Sequence, residues 1–212
     1  MAVQLLEEWL LKEQKKAQEN FEVLNRVGLA DPEIILIGDS VIDYYPIHEL
    51  LKTDKVMVNR GIKGYKTYQL LENLSLHVYG HRLEKVFILL GTNDLGMEMP
   101  IEETIENMEY ILQMIARSNS YVDVYLVSVL PVNEAERFKG TVYVRRNDAI
   151  QKMNAAYQAL AEEHSHVHYV DAYTNMLDDL GQLQESYTQD GLHLTINGYV
   201  ALSQALQPYV NQ

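Results

Sequence analysis

A serine follows a short apolar segment near the start of the chain. Residues 34–38 read IILIG, and Asp39 and Ser40 come directly after them. A serine becomes a nucleophile when a base, usually histidine, removes its proton and an acid orients that base. Of the seven histidines, only His193 lies among suitable companions, because Asp190 stands three residues before it in TQDGLHLTINGY. Ser40, His193 and Asp190 are therefore candidates for nucleophile, base and orienting acid.

Such chemistry also needs donors aimed at the oxyanion that develops during attack. The backbone N–H of Ser40 is one candidate, since it would lie at the start of a helix. A glycine of the segment NRGIKG, residues 59–64, could bring a second backbone N–H close. The side-chain amide of Asn93, in GTND, could add a third. A serine after a strand is also commonly a helix cap, and Asp190 and His193 could form only a surface hydrogen bond.

These residues must be positioned by alternating strands and helices. Apolar runs predict strands at 34–38, 55–59, 86–90, 123–130 and 167–170, and helical periodicity falls at about 66–79, 101–117, 145–163 and 196–210. Alternation with solidly apolar strands predicts an α/β fold with a parallel sheet covered on both faces. Ligands of such sheets bind at the carboxyl ends of the strands. The candidate residues around 40, 59–64 and 91–94 all follow strands, so they should share one edge of the sheet.

The composition narrows the partners of the protein. The chain has 212 residues, 30 acidic against 17 basic, for a formal net charge of −13. That balance argues against nucleic acid, which is bound by clustered lysine and arginine. With no cysteine, disulfides and thiolate sites are excluded. No apolar run is long enough to insert stably in a membrane, and no signal peptide is evident, so the expected location is the cytoplasm.

Residues 4 to about 26 predict one amphipathic helix, with a stripe formed by Leu6, Leu10, Ala17, Phe21 and Leu24. The stripe could pack against the rest of the chain or form a homodimer contact. Asp31-Pro32 breaks the chain before the first strand.

Four sequence blocks, taken together, carry a resemblance to a known family. GDS at 38–40, NRGIKG at 59–64, GTND at 91–94 and DGLH at 190–193 resemble the blocks of the SGNH (GDSL-type) hydrolases in order and spacing. Within that superfamily the chain is most similar to the platelet-activating-factor acetylhydrolase-like branch. The resemblance implies a three-layer flavodoxin-like fold with a five-stranded parallel sheet of order 2-1-3-4-5. It also implies an SGNH hydrolase domain over 31–212, after a helical extension over 1–30.

The resemblance assigns roles to particular residues. Ser40, His193 and Asp190 correspond to the catalytic triad, and Ser40, Gly64 and Asn93 to the oxyanion hole; no metal or cofactor is implied. One departure concerns the second block, where relatives often carry Gly-Asp-Thr and this chain has Tyr65 after Gly64. Another is that the G-x-S-x-G elbow of α/β-hydrolases is absent.

The histidine-rich segment HSHVH, residues 164–168, has histidines at alternate positions, a pattern that could indicate a metal site. No carboxylate or cysteine is spaced to complete it, so a metal is not predicted. The segment GIKGYKT lacks the spacing of a nucleotide-binding phosphate loop. Arg137, Lys139 or Arg145 could meet an anionic group of a substrate, and the sequence does not select among them.

The sequence thus predicts a serine esterase that cleaves short-chain, acetyl esters through an acyl-enzyme. An O-acetyl carbohydrate deacetylase and a thioesterase are alternatives in the same class. A non-catalytic module that binds an acylated or sugar ligand, or a nucleotide- or flavin-binding module, would belong to different classes. The predicted partner is a small-molecule ester, with a homodimer also open.

Overall fold

The computed structural model describes residues 2–212, with side chains from residue 7 onward. Its centre is a parallel sheet of five strands in the order β2-β1-β3-β4-β5. The strands are β1 (Ile34–Gly38), β2 (Met57–Gly61), β3 (Lys85–Leu89), β4 (Asp123–Val127) and β5 (Val167–Val170). The predicted fold class and strand order are therefore confirmed.

Ten α-helices connect and cover these strands in the described part of the chain. The long ones are α1 (Ala2–Val27), α7 (Ile101–Ser118), α9 (Asn147–Glu162) and α10 (Ile196–Val210). The short ones are α2 (Ser40–Asp43), α3 (Ile47–Leu50), α4 (Thr67–Glu72), α5 (Leu74–His77), α6 (Thr92–Gly96) and α8 (Lys139–Val142). Turns of 3₁₀ helix lie at Glu136–Phe138, Thr174–Met176 and Glu185–Tyr187. No helix of the described residues is long and apolar enough to cross a membrane.

Two apolar layers form because successive side chains of a strand point to opposite faces of the sheet. Ile35 and Ile37 of β1 face a layer built with α4, α7 and α9. Ile34 and Leu36 face the opposite layer, built with α2, α3 and α10. Since β1 is buried on both faces, its sequence is a continuous apolar run rather than an alternation.

Strand β2 begins two residues later than the sequence pattern predicts. The prediction placed it at 55–59, whereas it runs from Met57 through Asn59 and Arg60 to Gly61. Those polar side chains find partners at the edge of the sheet. Asn59 Nδ2 donates to the carbonyl of Ile42, and Arg60 Nη2 donates to Asn25 Oδ1 at 2.9 Å. Hydrogen bonding therefore allows a polar sequence to complete an edge strand.

Helix α1 packs against the rest of the chain through a mixed apolar and polar contact. Ala17 and Phe21 lie against the apolar layer, as the stripe predicts. Leu24 is exposed instead, and the side chain of Leu6 lies outside the described residues. Gln14, which is 2% exposed, donates through Nε2 to the carbonyl of Lys63 at 3.0 Å. The helix therefore contacts the loop that precedes Gly64, and a homodimer contact through its exposed face remains a prediction.

Replacing Gln14 tests whether this helix stabilises the fold. Gln14→Ala removes the donor to the Lys63 carbonyl and the acceptor of Gln69 Nε2, which lies 2.9 Å away. Leaving buried polar groups unpaired should lower the free energy of unfolding by about 1–3 kcal/mol, measured by urea denaturation. The exposed Lys15→Ala is the matched control. Equal unfolding free energies for both variants would show that α1 is only loosely attached.

Candidate active site

Three neighbouring strands deliver their following residues to one edge of the sheet. Strand β1 lies between β2 and β3, so the chain leaves β1 toward β2 on one side and later returns to β3 on the other. This arrangement is the topological switch point at which open α/β sheets bind ligands. The residues after these strands include Ser40, Gly64 and Asn93, the predicted nucleophile and oxyanion donors.

Ser40 is the first residue of α2 and is 6% exposed. The helix packs closely on two glycines at strand ends. A Cβ atom at Gly38 would lie 2.3 Å from the carbonyl oxygen of Leu89, and one at Gly61 would lie 2.2 Å from the backbone N of Asp43. Because both residues are glycine, α2 can pack directly on the strand ends. The chain therefore turns sharply after β1 and holds Ser40 at the edge of the sheet.

The N-cap of α2 is Asp39, not Ser40. Asp39 Oδ1 accepts the backbone N–H of Val41 at 2.9 Å. This corrects the interpretation of Ser40 as a cap, and the physical reason is that an aspartate one residue earlier already occupies that role. The hydroxyl of Ser40 is consequently available to a side chain, and His193 Nε2 lies 3.1 Å from Ser40 Oγ.

His193 and Asp190 form a compact turn beside Ser40. His193 Nδ1 lies 2.7 Å from Asp190 Oδ2, while Asp190 Oδ1 accepts the backbone N–H groups of Leu192 and His193 at 3.0 and 2.8 Å. Burial alone would raise the pKa of Asp190, but these hydrogen bonds offset it and the pKa lies below its ordinary value. The carboxylate is thus held in its ionised form, which favours a proton on Nδ1 and leaves Nε2 to accept from Ser40.

The segment after β4 fixes this turn. Gly191 has φ of +84°, and a Cβ atom there would lie 2.6 Å from Cβ of Phe138. Asn133 N–H donates to the carbonyl of Gly191 at 2.9 Å, and Thr188 Oγ1 donates to the carbonyl of His193 at 2.8 Å. The long segment 131–144 therefore supports the acid–base turn from outside the sheet. Thr195 caps α10 by accepting from Gly198 N–H, as predicted.

The predicted oxyanion donors outside α2 lie in two adjacent segments, Gly64 in the loop after β2 and Asn93 in α6. Gly64 has φ of +71°, a conformation that favours glycine, and a Cβ atom there would lie 2.7 Å from Cδ2 of Leu10. Asn93 Nδ2 donates to the carbonyl of Tyr65 at 3.1 Å, which joins the two segments. Asp94 joins them again, since its carboxylate accepts the backbone N–H of Thr67 at 3.0 Å.

Other residues singled out in the sequence lie elsewhere. Arg137 pairs with Glu185 and Lys139 with Glu136, both on the exposed surface. Arg145, in contrast, contacts Asn93, a placement that no sequence pattern indicated. Tyr44 lies in the segment after Ser40 that the sequence suggests as a border of the pocket, and its ring centroid lies 6.0 Å from that of His193. Two histidines of the segment HSHVH contact carboxylates. His164 lies 2.7 Å from Glu109, and His168 lies 3.4 Å from Asp123.

The comparisons with known proteins identify the family of the chain. Residues 36–201 match the GDSL-like lipase/acylhydrolase family. The chain therefore belongs to that family, within the SGNH hydrolase superfamily. A solved structure from Streptococcus pneumoniae, provisionally named a platelet activating factor, is 49% identical with a TM-score of 0.97, and the match covers 99% of this chain and 98% of that one.

Two named protein sequences are more distant relatives. The N-acylneuraminate cytidylyltransferase of Escherichia coli is 30% identical over 84% of this chain, but this chain spans only 40% of that protein. A GDSL esterase/lipase of Arabidopsis thaliana is 26% identical over 79% of this chain and 80% of that protein. The likeness to the cytidylyltransferase thus concerns only a part of it.

Asp39 generates a prediction about stability and pH. Burial raises its pKa from 3.8 to about 7, although the Val41 N–H and the nearby His193 and Arg145 act in the opposite direction. The unfolded chain releases this proton at lower pH than the folded protein does. The contribution of Asp39 to stability is therefore complete below about pH 4 and is lost as the pH rises toward 7.

Asp39→Asn keeps the acceptor for Val41 N–H but cannot ionise. The free energy of unfolding of this variant, relative to wild type, should rise by about 2–3 kcal/mol between pH 5 and pH 8. Urea denaturation across that range measures the difference, with Asp179→Asn on the exposed surface as the control. A difference that does not change with pH would show that Asp39 ionises normally in the fold.

Proposed function

We propose that the protein is a serine esterase that hydrolyses short-chain esters through Ser40, His193 and Asp190. The observation that carries the proposal is the continuous chain of contacts from Ser40 Oγ to His193 Nε2 at 3.1 Å and from His193 Nδ1 to Asp190 Oδ2 at 2.7 Å. A nucleophile, a base in hydrogen-bond reach and an acid that orients the base form the constellation required for acyl transfer.

The first half of the reaction forms an acyl-enzyme. Ser40 Oγ attacks the carbonyl carbon of the ester, and His193 Nε2 takes the hydroxyl proton. The carbonyl oxygen becomes an oxyanion that the backbone N–H groups of Ser40 and Gly64 and the amide of Asn93 bind. The tetrahedral intermediate collapses, the C–O bond to the alcohol breaks, and His193 returns the proton to the departing alkoxide.

The second half releases the acid. A water molecule attacks the acyl carbon while His193 accepts one of its protons, and the same donors bind the second oxyanion. The bond to Ser40 Oγ then breaks, and the proton on His193 returns to that oxygen. Asp190 stays ionised throughout and stabilises the imidazolium, in keeping with its lowered pKa.

The acyl group proposed is acetyl. The sequence resembles the platelet-activating-factor acetylhydrolase-like branch, and the pneumococcal protein with 49% identity carries a platelet activating factor name. An O-acetylated carbohydrate is the second candidate substrate, because one relative is named for its action on a sugar acid, an N-acylneuraminate. The N-acyl group of that sugar acid is an amide, so the ester proposed for cleavage would be on a hydroxyl group.

Hydrolysis of p-nitrophenyl esters with acyl chains from C2 to C12 tests the proposal. We expect activity to peak at C2–C4, to survive EDTA and to fall at least about 10³-fold in Ser40→Ala and His193→Ala, as for other triad enzymes. Asp190→Asn should lower kcat by a similar order, because it removes the group that fixes the imidazole tautomer. His81→Ala, at an exposed histidine outside this edge of the sheet, is the control.

Wild-type turnover by Ser40→Ala would overturn the proposed mechanism. An acetylated sugar acid tested beside p-nitrophenyl acetate distinguishes the two substrates by their kcat/KM. If neither wild-type hydrolysis nor fluorophosphonate labelling of Ser40 is detected, the protein is a binding module rather than an esterase.

A further inference from the structure

Arg145 reaches from the segment before α9 to the first residues of α6. Its Nε donates to the carbonyl of Thr92 at 2.8 Å, and its Nη2 donates to Asn93 Oδ1 at 3.2 Å. Weaker contacts at 3.4 Å join Nη1 to the carbonyls of Thr141 and Val142. The planar guanidinium is therefore held by several hydrogen bonds, and one of its partners is the side chain of Asn93, a proposed oxyanion donor.

Room for the guanidinium depends on a glycine. A Cβ atom at Gly96 would lie 2.1 Å from Arg145 Nη2 and 2.5 Å from Cζ. These contacts are far too short for any other residue unless the arginine moves. Gly96 thus leaves an opening on α6 that the guanidinium fills, three residues after Asn93.

The contact determines which way the Asn93 amide faces. Arg145 carries only donors, so it can accept nothing from an amide NH₂ group. An exchanged amide would place NH₂ against the guanidinium and the amide oxygen against the Tyr65 carbonyl, so both contacts would become repulsive. With Oδ1 toward Arg145, Nδ2 uses one hydrogen for the Tyr65 carbonyl at 3.1 Å, and its second hydrogen is available to a ligand.

The positive charge has a second effect on the same amide. Burial lowers the pKa of Arg145 while the charge of Asp39 raises it, and an arginine at such a position stays protonated. A charged donor on Oδ1 draws electron density from the amide, which makes its N–H groups stronger donors. Both effects act on the atom that would bind the oxyanion.

We propose that Arg145 is a positioning residue, which fixes and polarises the Asn93 amide so that its free N–H faces the developing oxyanion. The inference rests on the proposed esterase function. It replaces the alternative in which Arg145 binds an anionic group of the substrate, because the hydrogen bonds of its guanidinium run to oxygen atoms of the protein itself.

A double-mutant cycle with p-nitrophenyl acetate tests this role. The ester is neutral, so an arginine that bound only an anionic substrate group would not affect its hydrolysis. Asn93→Ala should lower kcat by about 10²–10³-fold, the usual cost of one oxyanion donor. Arg145→Met should lower kcat and kcat/KM together by about 10–100-fold, but by less than about threefold when Asn93 is already alanine.

Two further variants separate positioning from a general loss of structure. Arg146→Met changes the neighbouring exposed arginine and should keep wild-type activity. Gly96→Ala retains Arg145 but obstructs its guanidinium, so it should reproduce the loss of kcat without a change of charge. Circular dichroism of each variant reports whether it is folded.

The outcomes distinguish failure of this inference from failure of the proposed function. Turnover that persists in Ser40→Ala would overturn both. Turnover that disappears in Ser40→Ala but is unchanged in Arg145→Met would overturn only the role of Arg145. The same conclusion follows if the Arg145→Met and Asn93→Ala effects on kcat simply multiply, or if Arg145→Met raises KM alone.

Discussion

The geometry of the site depends on the close contact between α2 and the ends of β1 and β2. Gly38 and Gly61 are paired across these strands, and neither leaves space for a Cβ atom. Any side chain there would push α2 away from the sheet, and Ser40 would move with it. Ser40 therefore lies within reach of His193 because two neighbouring strands both end in glycine, with tightly packed backbone above them.

Hydrogen bonds connect the residues around these strand ends to the neighbouring segments. Asn93 and Asp94 both bind the loop that carries Gly64, through the Tyr65 carbonyl and the Thr67 N–H. Helix α1 holds the same loop from the other side through Gln14. The proposed nucleophile and oxyanion donors thus belong to one connected unit around three strand ends. The proposed base and its carboxylate come from a separate turn, which segment 131–144 supports, so the site is complete only when both units are folded.

Much of this arrangement follows from local sequence, and the rest does not. The run IILIG predicts β1 well because a strand buried on both faces must be apolar throughout. Strand β2 was placed two residues early because the polar Arg60 follows the run KVMVN, and its partner Asn25 lies 35 positions away in the sequence. Ser40, Asp190 and His193 were identifiable because their types and spacing match a known set of blocks. The cap of α2 was expected at Ser40 rather than at Asp39, and the contact of Arg145 with Asn93 was missed because it joins residues 52 positions apart.

The balance of charge between Arg145 and Asp39, next to the site, also favours the binding of an oxyanion. Arg145 donates its hydrogen bonds to uncharged oxygens, so direct ion pairing does not consume its positive field. The carboxyl whose charge acts on it is that of Asp39, and burial raises the pKa of Asp39 to about 7. Near neutral pH this carboxyl is therefore only partly ionised, and it cancels only part of the field. Because Arg145 Nη2 lies 3.2 Å from Asn93 Oδ1, the remaining positive potential acts at short range on the Asn93 amide, where negative charge would develop during ester attack.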